Sequence, residues 1–360
     1  MSERAARLHA ADWQGVIHIT GGGTGLLTEL LAVPGASRTL LDAHIPYSTA
    51  ALGELLGRQP EQACSAQTAR ALAMAAMQRA IRLGSPTPFG LSCTASIATD
   101  RKKKGTHRAH AAVQTLDVTA GAYWELPGND RAEQERLITD RLWQLLFETL
   151  QLDFRQAETP HERGPAEPEW RRLIEGSLDA HPSSAHDGLL LLPGAFNPLH
   201  TGHKKMLAIA EARTGLRGAY ELSLLNVDKP PLDYLTIRER LDQFDRPVWL
   251  TRLPTFAAKA ARFPGAHFVV GVDTLVRIID PHYYTSERIM TEALSSFVSR
   301  DTHFVVFGRQ VAAGFVVLSD IAQDLPESLR SRCIEIGQTE FHDTVSSTQL
   351  RSGAERQSGL

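Results

Sequence analysis

Gly194-Ala-Phe-Asn-Pro-Leu-His-Thr-Gly-His203 directly follows the apolar run Gly188-Leu-Leu-Leu-Leu-Pro193. The apolar run predicts a buried strand and residues 202–213 predict a helix, so the string lies in a strand–loop–helix turn. In open α/β sheets ligands bind at the carboxyl ends of the strands, and a helix start favours an anion. The imidazoles of His200 and His203 can donate hydrogen bonds to phosphate oxygens. The stretch therefore predicts an α/β fold with a phosphate site in this turn, although the HxxH spacing alone is more typical of two satisfied surface histidines.

The residues after this string alternate between apolar runs and amphipathic segments. They predict helices at 202–213, 236–243, 255–262 and 285–299 and strands at 219–227, 247–251, 266–271, 303–307 and 314–318. Such alternation indicates a parallel α/β sheet. We therefore expect a Rossmann-like parallel-sheet domain over residues 188–360. Proline, glycine, serine and charged residues dominate 155–187, which predicts a linker there, with a short helix near Trp170.

Three later segments carry side chains suited to a nucleotide. Gly271-Val-Asp273 ends one predicted strand, and Phe307-Gly308-Arg309 ends another. An Asp after a strand is usually a helix cap, and Arg309 is as often a solvated side chain as a ligand contact. Val345-Ser-Ser-Thr-Gln-Leu-Arg351 offers three hydroxyls that can cap a helix or bind phosphate, followed one turn later by a guanidinium.

The ten-residue string resembles the signature G-x-F-x-P-x-H-x-G-H of the adenylyl- and cytidylyltransferase superfamily, with every fixed position present. The later segments resemble the G-x-D and S-S-T-x-x-R motifs of that superfamily, in the same order. The resemblance implies that an acceptor phosphate attacks the α-phosphate of a nucleoside triphosphate, that Mg²⁺ bridges phosphates, and that pyrophosphate leaves. The sequence shows no set of protein metal ligands. The implied catalytic residues are His200, His203 and Arg351, and the implied nucleotide-binding residues are Gly194, Ala195, Phe196, Asn197, Gly202, Gly271, Asp273, Arg309, Ser346, Ser347 and Thr348.

Within the superfamily, the motifs look most like those of the nicotinamide and nicotinate mononucleotide adenylyltransferases, over roughly residues 189–353. This resemblance implies ATP and a pyridine mononucleotide (NMN or nicotinate mononucleotide) as substrates. The acceptor side departs from that family: a tryptophan pair is replaced by Pro281-His-Tyr-Tyr284. Tyr283 or Tyr284 would have to stack on the pyridine ring, although such aromatic residues more often serve packing.

Other residues near the expected acceptor entrance are charged. Lys229 is a candidate for the acceptor phosphate, and Arg238 and Arg240 are further candidates, each with solvation at the surface as its ordinary alternative. Two alternative functions stay open. One is transfer from ATP or CTP to another phosphorylated acceptor, which the tyrosine departure favours. The other is a noncatalytic nucleotide-binding scaffold, against which the intact motifs count.

The N-terminal half predicts a second α/β domain over residues 1–154. The expected elements are strands at 16–20, 89–99 and 107–118 and helices at 62–83 and 130–150. This half resembles the C-terminal domain of the CinA (competence/damage-inducible) family, the nicotinamide-mononucleotide amidohydrolases. The resemblance is carried by Thr20–Gly25, residues 30–37, Pro46-Tyr47-Ser48, the alanine-rich helix and Pro127–Arg131.

The catalytic residues of that family do not carry over to this half. The loop reads His18-Ile-Thr-Gly-Gly-Gly, in which Thr20 is the only hydroxyl, and the family's lysine falls on Leu52. A nucleophile without a nearby base is poorly activated. We expect a domain that has lost amide hydrolysis and serves nucleotide binding or assembly. The glycine loop, Gly21–Gly25, either cradles a phosphate or forms a tight turn.

Composition bounds the class of protein. The chain has 360 residues, 42% hydrophobic and 22% charged, with a net charge of −3. Two domains are the natural expectation at this length. Without a basic excess, nucleic acid is not an expected partner. Three scattered cysteines fit a reducing compartment, and no apolar run reaches the ~20 residues of a membrane span. We expect a cytoplasmic enzyme whose partners are ATP and a small phosphorylated acceptor, with no membrane partner; homo-oligomer formation stays open.

Overall fold

The computed structural model describes residues 2–100, 105–152, 161–225, 232–284, 286–311 and 314–342. Five predicted site residues lie outside these ranges: Lys229, Ser346, Ser347, Thr348 and Arg351. The chain divides into two units, the first formed by Met1–Glu175 with Val227–Arg238 and the second by Gly176–Asn226 with Glu239–Leu360. The division at Glu175 falls inside the stretch 155–187, which the sequence predicts as a linker.

In the first unit, the described residues form a mixed six-stranded sheet in the order β2-β1-β3-β4-β5-β6. Strands β1–β2 and β1–β3 pair in parallel, and the remaining neighbours are antiparallel. The elements are α1 (Glu3–His9), β1 (Gln14–Thr20), α2 (Gly25–Leu31), β2 (Leu40–His44), α3 (Thr49–Leu56), α4 (Ala66–Arg82), β3 (Pro88–Ser96), β4 (Arg108–Thr115), β5 (Val118–Glu125), α5 (Arg131–Thr149), β6 (Glu162–Pro165) and α6 (Pro168–Glu175).

Helices cover both faces of this sheet. The alanine-rich helix α4 begins after Ser65, whose hydroxyl accepts the N–H of Thr68, and its alanines let it approach β3 closely. A Cβ at Gly90 would collide with the backbone of α4 at Ala73 and Met77, so only glycine permits this distance. On the opposite face, α2 and α5 bury an apolar core that includes Ile138, Leu142, Trp143 and Leu146. The predicted α/β fold of this half is confirmed.

The predicted end of one strand in this half was wrong. The sequence predicts a strand over 107–118, whereas β4 ends at Thr115 and β5 begins at Val118. The hydroxyl of Thr115 accepts the N–H groups of Asp117 and Val118, each at 3.1 Å, which closes a turn between the two strands. The pattern also missed β2 and β5, whose short or alanine- and glycine-containing runs lack a strong apolar signal.

In the second unit, the described residues form a seven-stranded sheet in the order β15-β12-β11-β8-β9-β10-β7. Its pairs are parallel except that of β10 with β7. The elements are β7 (Ala180–Pro182), β8 (Leu190–Pro193), α7 (Thr201–Thr214), β9 (Gly218–Ser223), α8 (Tyr234–Leu241, whose residues up to Arg238 are assigned to the first unit), β10 (Val248–Thr251), α9 (Phe256–Arg262), β11 (His267–Gly271), α10 (Val272–Ile279), α11 (Glu287–Ser299), β12 (His303–Phe307), β13 (Arg309–Val311), β14 (Gly314–Val316), α12 (Leu318–Ile321), α13 (Glu327–Arg330) and β15 (Cys333–Ile336).

The six parallel strands follow the Rossmann order. Numbered along the chain from β8, they read 3-2-1-4-5-6 across the sheet, with β8 and β11 adjacent at the centre. Chain connections leave β8 towards β9 on one side and reach β11 on the other, so the strand order reverses between these two strands. The three leucines of β8 are buried, as expected for a central parallel strand covered on both faces. The predicted parallel α/β sheet is thereby confirmed.

Several elements of this unit were not expected from the sequence. Strand β7 lies within the predicted linker stretch and adds an antiparallel edge to the sheet. Helix α10, which begins directly after Gly271, and strand β15 were not predicted. Within the described ranges, no helix is long and apolar enough to cross a membrane.

Candidate functional site

The loop that follows β8, residues 194–200, is the core of the candidate site. Its first residue donates an N–H bond to the carbonyl of Glu221 on β9, at 3.0 Å. Phe196 is buried and has φ +46°, a left-handed conformation that costs a non-glycine residue about 1–2 kcal/mol. Its ring packs edge-on against His203, and a Cβ at Gly194 would lie 2.7 Å from it. Gly194 and Phe196 of the motif therefore shape the loop by packing.

His200 and His203 are stacked at the start of α7. Their ring centroids are 3.7 Å apart, and the backbone N–H of His200 donates to Nδ1 of His203 at 3.3 Å. Burial, and secondarily the neighbouring His200, lowers the pKa of His203 to about 3. The neutral ring accepts at Nδ1, so we assign its proton to Nε2, which makes Nε2–H a donor. His203 thus offers a neutral hydrogen bond at the carboxyl end of β8.

Two side chains near the end of α8 hold this loop. The guanidinium of Arg240 donates to the carbonyl of Ala195, and the side-chain oxygen of Gln243 accepts the N–H of Leu199 at 2.8 Å. Arg240 is only 7% exposed. The ordinary surface role considered for this arginine is therefore wrong, since it is buried against the loop. Gln243 carried no signal in the sequence, because its function depends on a residue 44 positions away.

Asp273 and Arg309 form an ion pair at the ends of the neighbouring strands. Gly271 ends β11 and precedes α10, which contains Asp273, while Arg309 follows β12. Nη1 of Arg309 lies 2.9 Å from Oδ2 of Asp273, and the arginine side chain remains 54% exposed. The other carboxylate oxygen, Oδ1, is buried without a hydrogen-bond partner among the described residues.

The topology brings the two halves of the candidate site to one edge of the sheet. His200 and His203 follow β8, and Asp273 and Arg309 follow β11 and β12, which are the next strands in the parallel order. The carboxyl ends of β8 and β11 flank the point where the strand order reverses, which is where ligands bind in open α/β sheets. The arrangement offers a neutral donor, a helix start and a partly exposed guanidinium, which suits an anionic ligand.

The two candidate stacking residues differ in their surroundings. Tyr284 is half-buried, and its hydroxyl donates to the carbonyl of Ile278 at 2.6 Å; burial raises the pKa of this phenol. Tyr283 lies in a 3₁₀ turn, and its side chain is about half exposed. Of the two rings, Tyr283 is therefore the more accessible. Arg238 belongs to the first unit, where it donates to the carbonyl of Pro165 at 3.3 Å.

A buried ion pair lies beneath the start of the site loop. Nζ of Lys259 on α9 is 2.7 Å from Oε1 of Glu221 and also donates to the carbonyl of Leu253 at 2.7 Å. The hydroxyl of Thr251 donates to the same carboxylate oxygen. The backbone carbonyl of Glu221 anchors Gly194. Sequence reasoning missed this pair, since neither residue stands in a recognisable motif.

In the first unit, the glycine loop already holds a carboxylate of the chain itself. Glu135 of α5 accepts the N–H of Gly23 at 2.7 Å, the hydroxyl of Thr24 at 2.7 Å and the N–H of Gly25 at 3.3 Å. Cβ atoms at Gly23 and Gly25 would press against Leu142 and Thr139 of the same helix. The glycines of this loop thus allow α5 to pack on it.

The positions expected for hydrolysis in the first unit are occupied by packing residues. Leu52, the position on which the family's lysine falls, is buried in a cluster with Leu56 and Leu72. His18 is buried and hydrogen-bonded through Nδ1 to the carbonyl of Leu72 at 3.1 Å, and its burial lowers its pKa to about 4. An aliphatic side chain at Leu52 cannot act as a base.

Among the described residues, no group of three or more His, Cys, Asp or Glu side chains could hold a metal ion.

Comparison with known proteins gives matches among solved structures only, since no protein-family model and no curated protein matches the sequence. A competence/damage-inducible protein from Agrobacterium tumefaciens is 19% identical, with 42% of this chain and 93% of that chain covered and a TM-score of 0.33. A CinA-superfamily protein from Escherichia coli is 18% identical, with 41% and 86% covered and a TM-score of 0.32. A competence/damage-inducible protein from Klebsiella pneumoniae is 16% identical, with 42% and 98% covered and a TM-score of 0.31. These neighbours cover about two fifths of the chain.

Proposed function

We propose that the second unit is a nucleotidyltransferase that moves an adenylyl group from ATP to a pyridine mononucleotide. The observation that carries the proposal is the position of the HxGH string, at the carboxyl end of β8 where the strand order reverses, with Nδ1 of His203 accepting the backbone N–H of His200. The chemistry at such a site depends on positioning and charge stabilisation, without a covalent enzyme intermediate. His203 and Arg309, among the described residues, are proposed to serve these two functions.

In the proposed reaction, an oxygen of the acceptor phosphate forms a bond to the α-phosphorus of ATP. The bond from that phosphorus to the bridging oxygen breaks, and pyrophosphate leaves with the electron pair. The Nε2–H of His203 donates to an α-phosphate oxygen, where charge develops. Because His203 is neutral, positive charge must come from other groups. Arg309 is a described candidate, and Arg351 with Ser346, Ser347 and Thr348 is proposed to bind the leaving pyrophosphate.

Mg²⁺ enters this proposal with ATP. Triphosphate oxygens are good ligands for this ion, and it neutralises phosphate charge in transfer reactions of this class. One carboxylate oxygen of Asp273 is paired with Arg309 at the carboxyl ends of β11 and β12. We assign Asp273, together with Gly271, to nucleotide binding.

A second candidate is transfer to another phosphorylated acceptor, with ATP or CTP as donor. The tyrosines favour this alternative, because Tyr284 is half-buried with its hydroxyl bound to the carbonyl of Ile278, and of the two rings only that of Tyr283 is about half exposed. One accessible ring offers a smaller platform than the tryptophan pair it would replace. Lys229 remains the proposed contact for the acceptor phosphate in either case.

For the first unit, we propose a domain without amide hydrolysis. Leu52 at the position expected for a base, together with a glycine loop that holds Glu135, supports this proposal. The purified chain is therefore expected to release no ammonia from nicotinamide mononucleotide.

The test of the transferase is pyrophosphate release by the full-length protein with ATP and Mg²⁺, with and without nicotinamide mononucleotide. We expect acceptor-dependent release, and a loss of at least about a hundredfold, or about 2.7 kcal/mol, in the His203→Ala variant. CTP and other phosphorylated acceptors are run beside ATP. Release with one of these alone selects the second candidate, and triphosphate binding without release in any combination would support a noncatalytic scaffold.

A further inference from the structure

The site loop, residues 194–200, is held at three points by one residue in the last turn of α8 and two residues just after that helix. Arg240 bonds the carbonyl of Ala195, and Gln243 bonds the N–H of Leu199. Phe244 packs edge-on against Phe196, with ring centroids 5.1 Å apart. The held atoms lie at the beginning, middle and end of the stretch that precedes His200.

This loop needs external support, because its own backbone is strained. Phe196 has a positive φ, and such residues persist only where their surroundings fix them. The aromatic ring of Phe196 is wedged between Phe244, Tyr220 and His203. Removal of the polar contacts on either side of Phe196 would let the backbone relax towards an ordinary conformation, and the His200–His203 pair would move with it.

We propose that Arg240 and Gln243 are positioning residues that fix the site loop, and through it His200 and His203, for phosphoryl chemistry. This inference rests on the proposed function. Arg240 contributes a guanidinium that donates to the backbone carbonyl of Ala195. Gln243 contributes only a hydrogen-bond acceptor. The two residues act through the loop and are distinct from the histidines that are proposed to touch substrate.

The inference predicts a separation between turnover and binding. A shift of about 1 Å in a reacting group can cost about a hundredfold in rate. Arg240→Ala and Gln243→Leu should each lower kcat by about ten- to a hundredfold, with a much smaller change in the KM for ATP. Gln243→Glu keeps an acceptor for Leu199 and should retain most of the activity. Free guanidinium ion should restore part of the kcat of Arg240→Ala and none of that of Gln243→Leu.

The matched control is Arg213→Ala, which removes an arginine from the last turn of α7. Arg213 forms a half-exposed ion pair with Glu340, at 3.2 Å. The kcat of Arg213→Ala should stay within about twofold of wild type, since exposed ion pairs contribute little to stability. Thermal unfolding of every variant is recorded. If Arg240→Ala does not fold, the comparison of kcat between Gln243→Leu and Gln243→Glu decides whether the hydrogen bond to Leu199 positions the site loop.

Hydrogen exchange of the peptide 194–203 in the full-length protein tests the inference without turnover. We expect faster exchange in Arg240→Ala and Gln243→Leu than in wild type, and no change in Arg213→Ala. If wild type turns over no acceptor but exchange responds as expected, the proposed function fails and the positioning role stands. Unchanged exchange together with kcat within threefold of wild type in both variants would overturn the positioning role.

Discussion

Lys259 and Glu221 form a buried ion pair in the second unit, and replacing Lys259 with methionine removes one charge while keeping most of the side-chain volume. The two residues are 5% and 1% exposed, so solvent cannot take the place of the missing ammonium. After the substitution, the Glu221 carboxylate still accepts a hydrogen bond from the hydroxyl of Thr251 but no longer has a cationic partner. The carbonyl of Leu253 loses a donor as well.

The expected effect is large compared with the stability of an ordinary domain. Removing one partner of a buried pair costs about 3–5 kcal/mol, because the other charge stays buried without compensation. Total stabilities are about 5–15 kcal/mol. For a unit of this size, each kcal/mol shifts Tm by about 2–4 °C, so Lys259→Met should lower Tm by about 6–20 °C.

Differential scanning calorimetry of the full-length protein measures this shift, and hydrogen exchange of the β9 amides assigns the affected transition to the second unit. The double variant Lys259→Met/Glu221→Gln is the matched control. Without either charge, it should recover much of the lost stability. A shift below 2 °C in the single variant, or a double variant no more stable than the single, would contradict an uncompensated buried charge at Glu221.

Three further predictions concern stability. Burial depresses the pKa of His203 to about 3, so the unfolded chain takes up the proton at a higher pH than the folded chain does. The contribution of His203 to the free energy of unfolding should be complete above pH 6.5 and fall by up to about 1.4 kcal/mol per pH unit towards pH 3. Urea titrations of His203→Asn should lack this pH-dependent loss of stability. Gly90→Ala forces a Cβ into the backbone at Ala73 and should lower the free energy of unfolding by about 3 kcal/mol or more. The control Gly105→Ala meets only a distant side-chain atom and should be nearly neutral in the same denaturation assay. Glu135→Ala leaves the N–H groups of the glycine loop without their acceptor and should lower the free energy of unfolding by about 1–3 kcal/mol, with faster amide exchange in the loop. Glu135→Gln keeps an acceptor and should lose less stability. Equal losses of stability in the two variants would contradict a hydrogen-bonding role for Glu135.

Much of the second unit could be predicted from local patterns. Helix α7 and strands β11 and β12 lie within one residue of their expected ends. These elements have strong signals: continuous apolar runs for buried parallel strands, and a periodic pattern for the helix. The weaker elements escaped prediction. Strand β5 contains small residues, and α10 was hidden by the interpretation of Gly271 and Asp273 as a motif.

The sequence by itself determined that the HxGH string follows a buried strand and begins a helix, because apolar runs and helix starts are encoded by neighbouring residues. Only the tertiary structure decided what surrounds the string. Arg240 and Ala195 are 45 positions apart, and Gly23 and Glu135 are 112 apart. One contact turns an apparent surface arginine into a support for the site loop, and the other gives a glycine loop a carboxylate from its own chain. Spacing within a sequence reports local geometry, whereas these partners meet only because the sheets bring distant segments together.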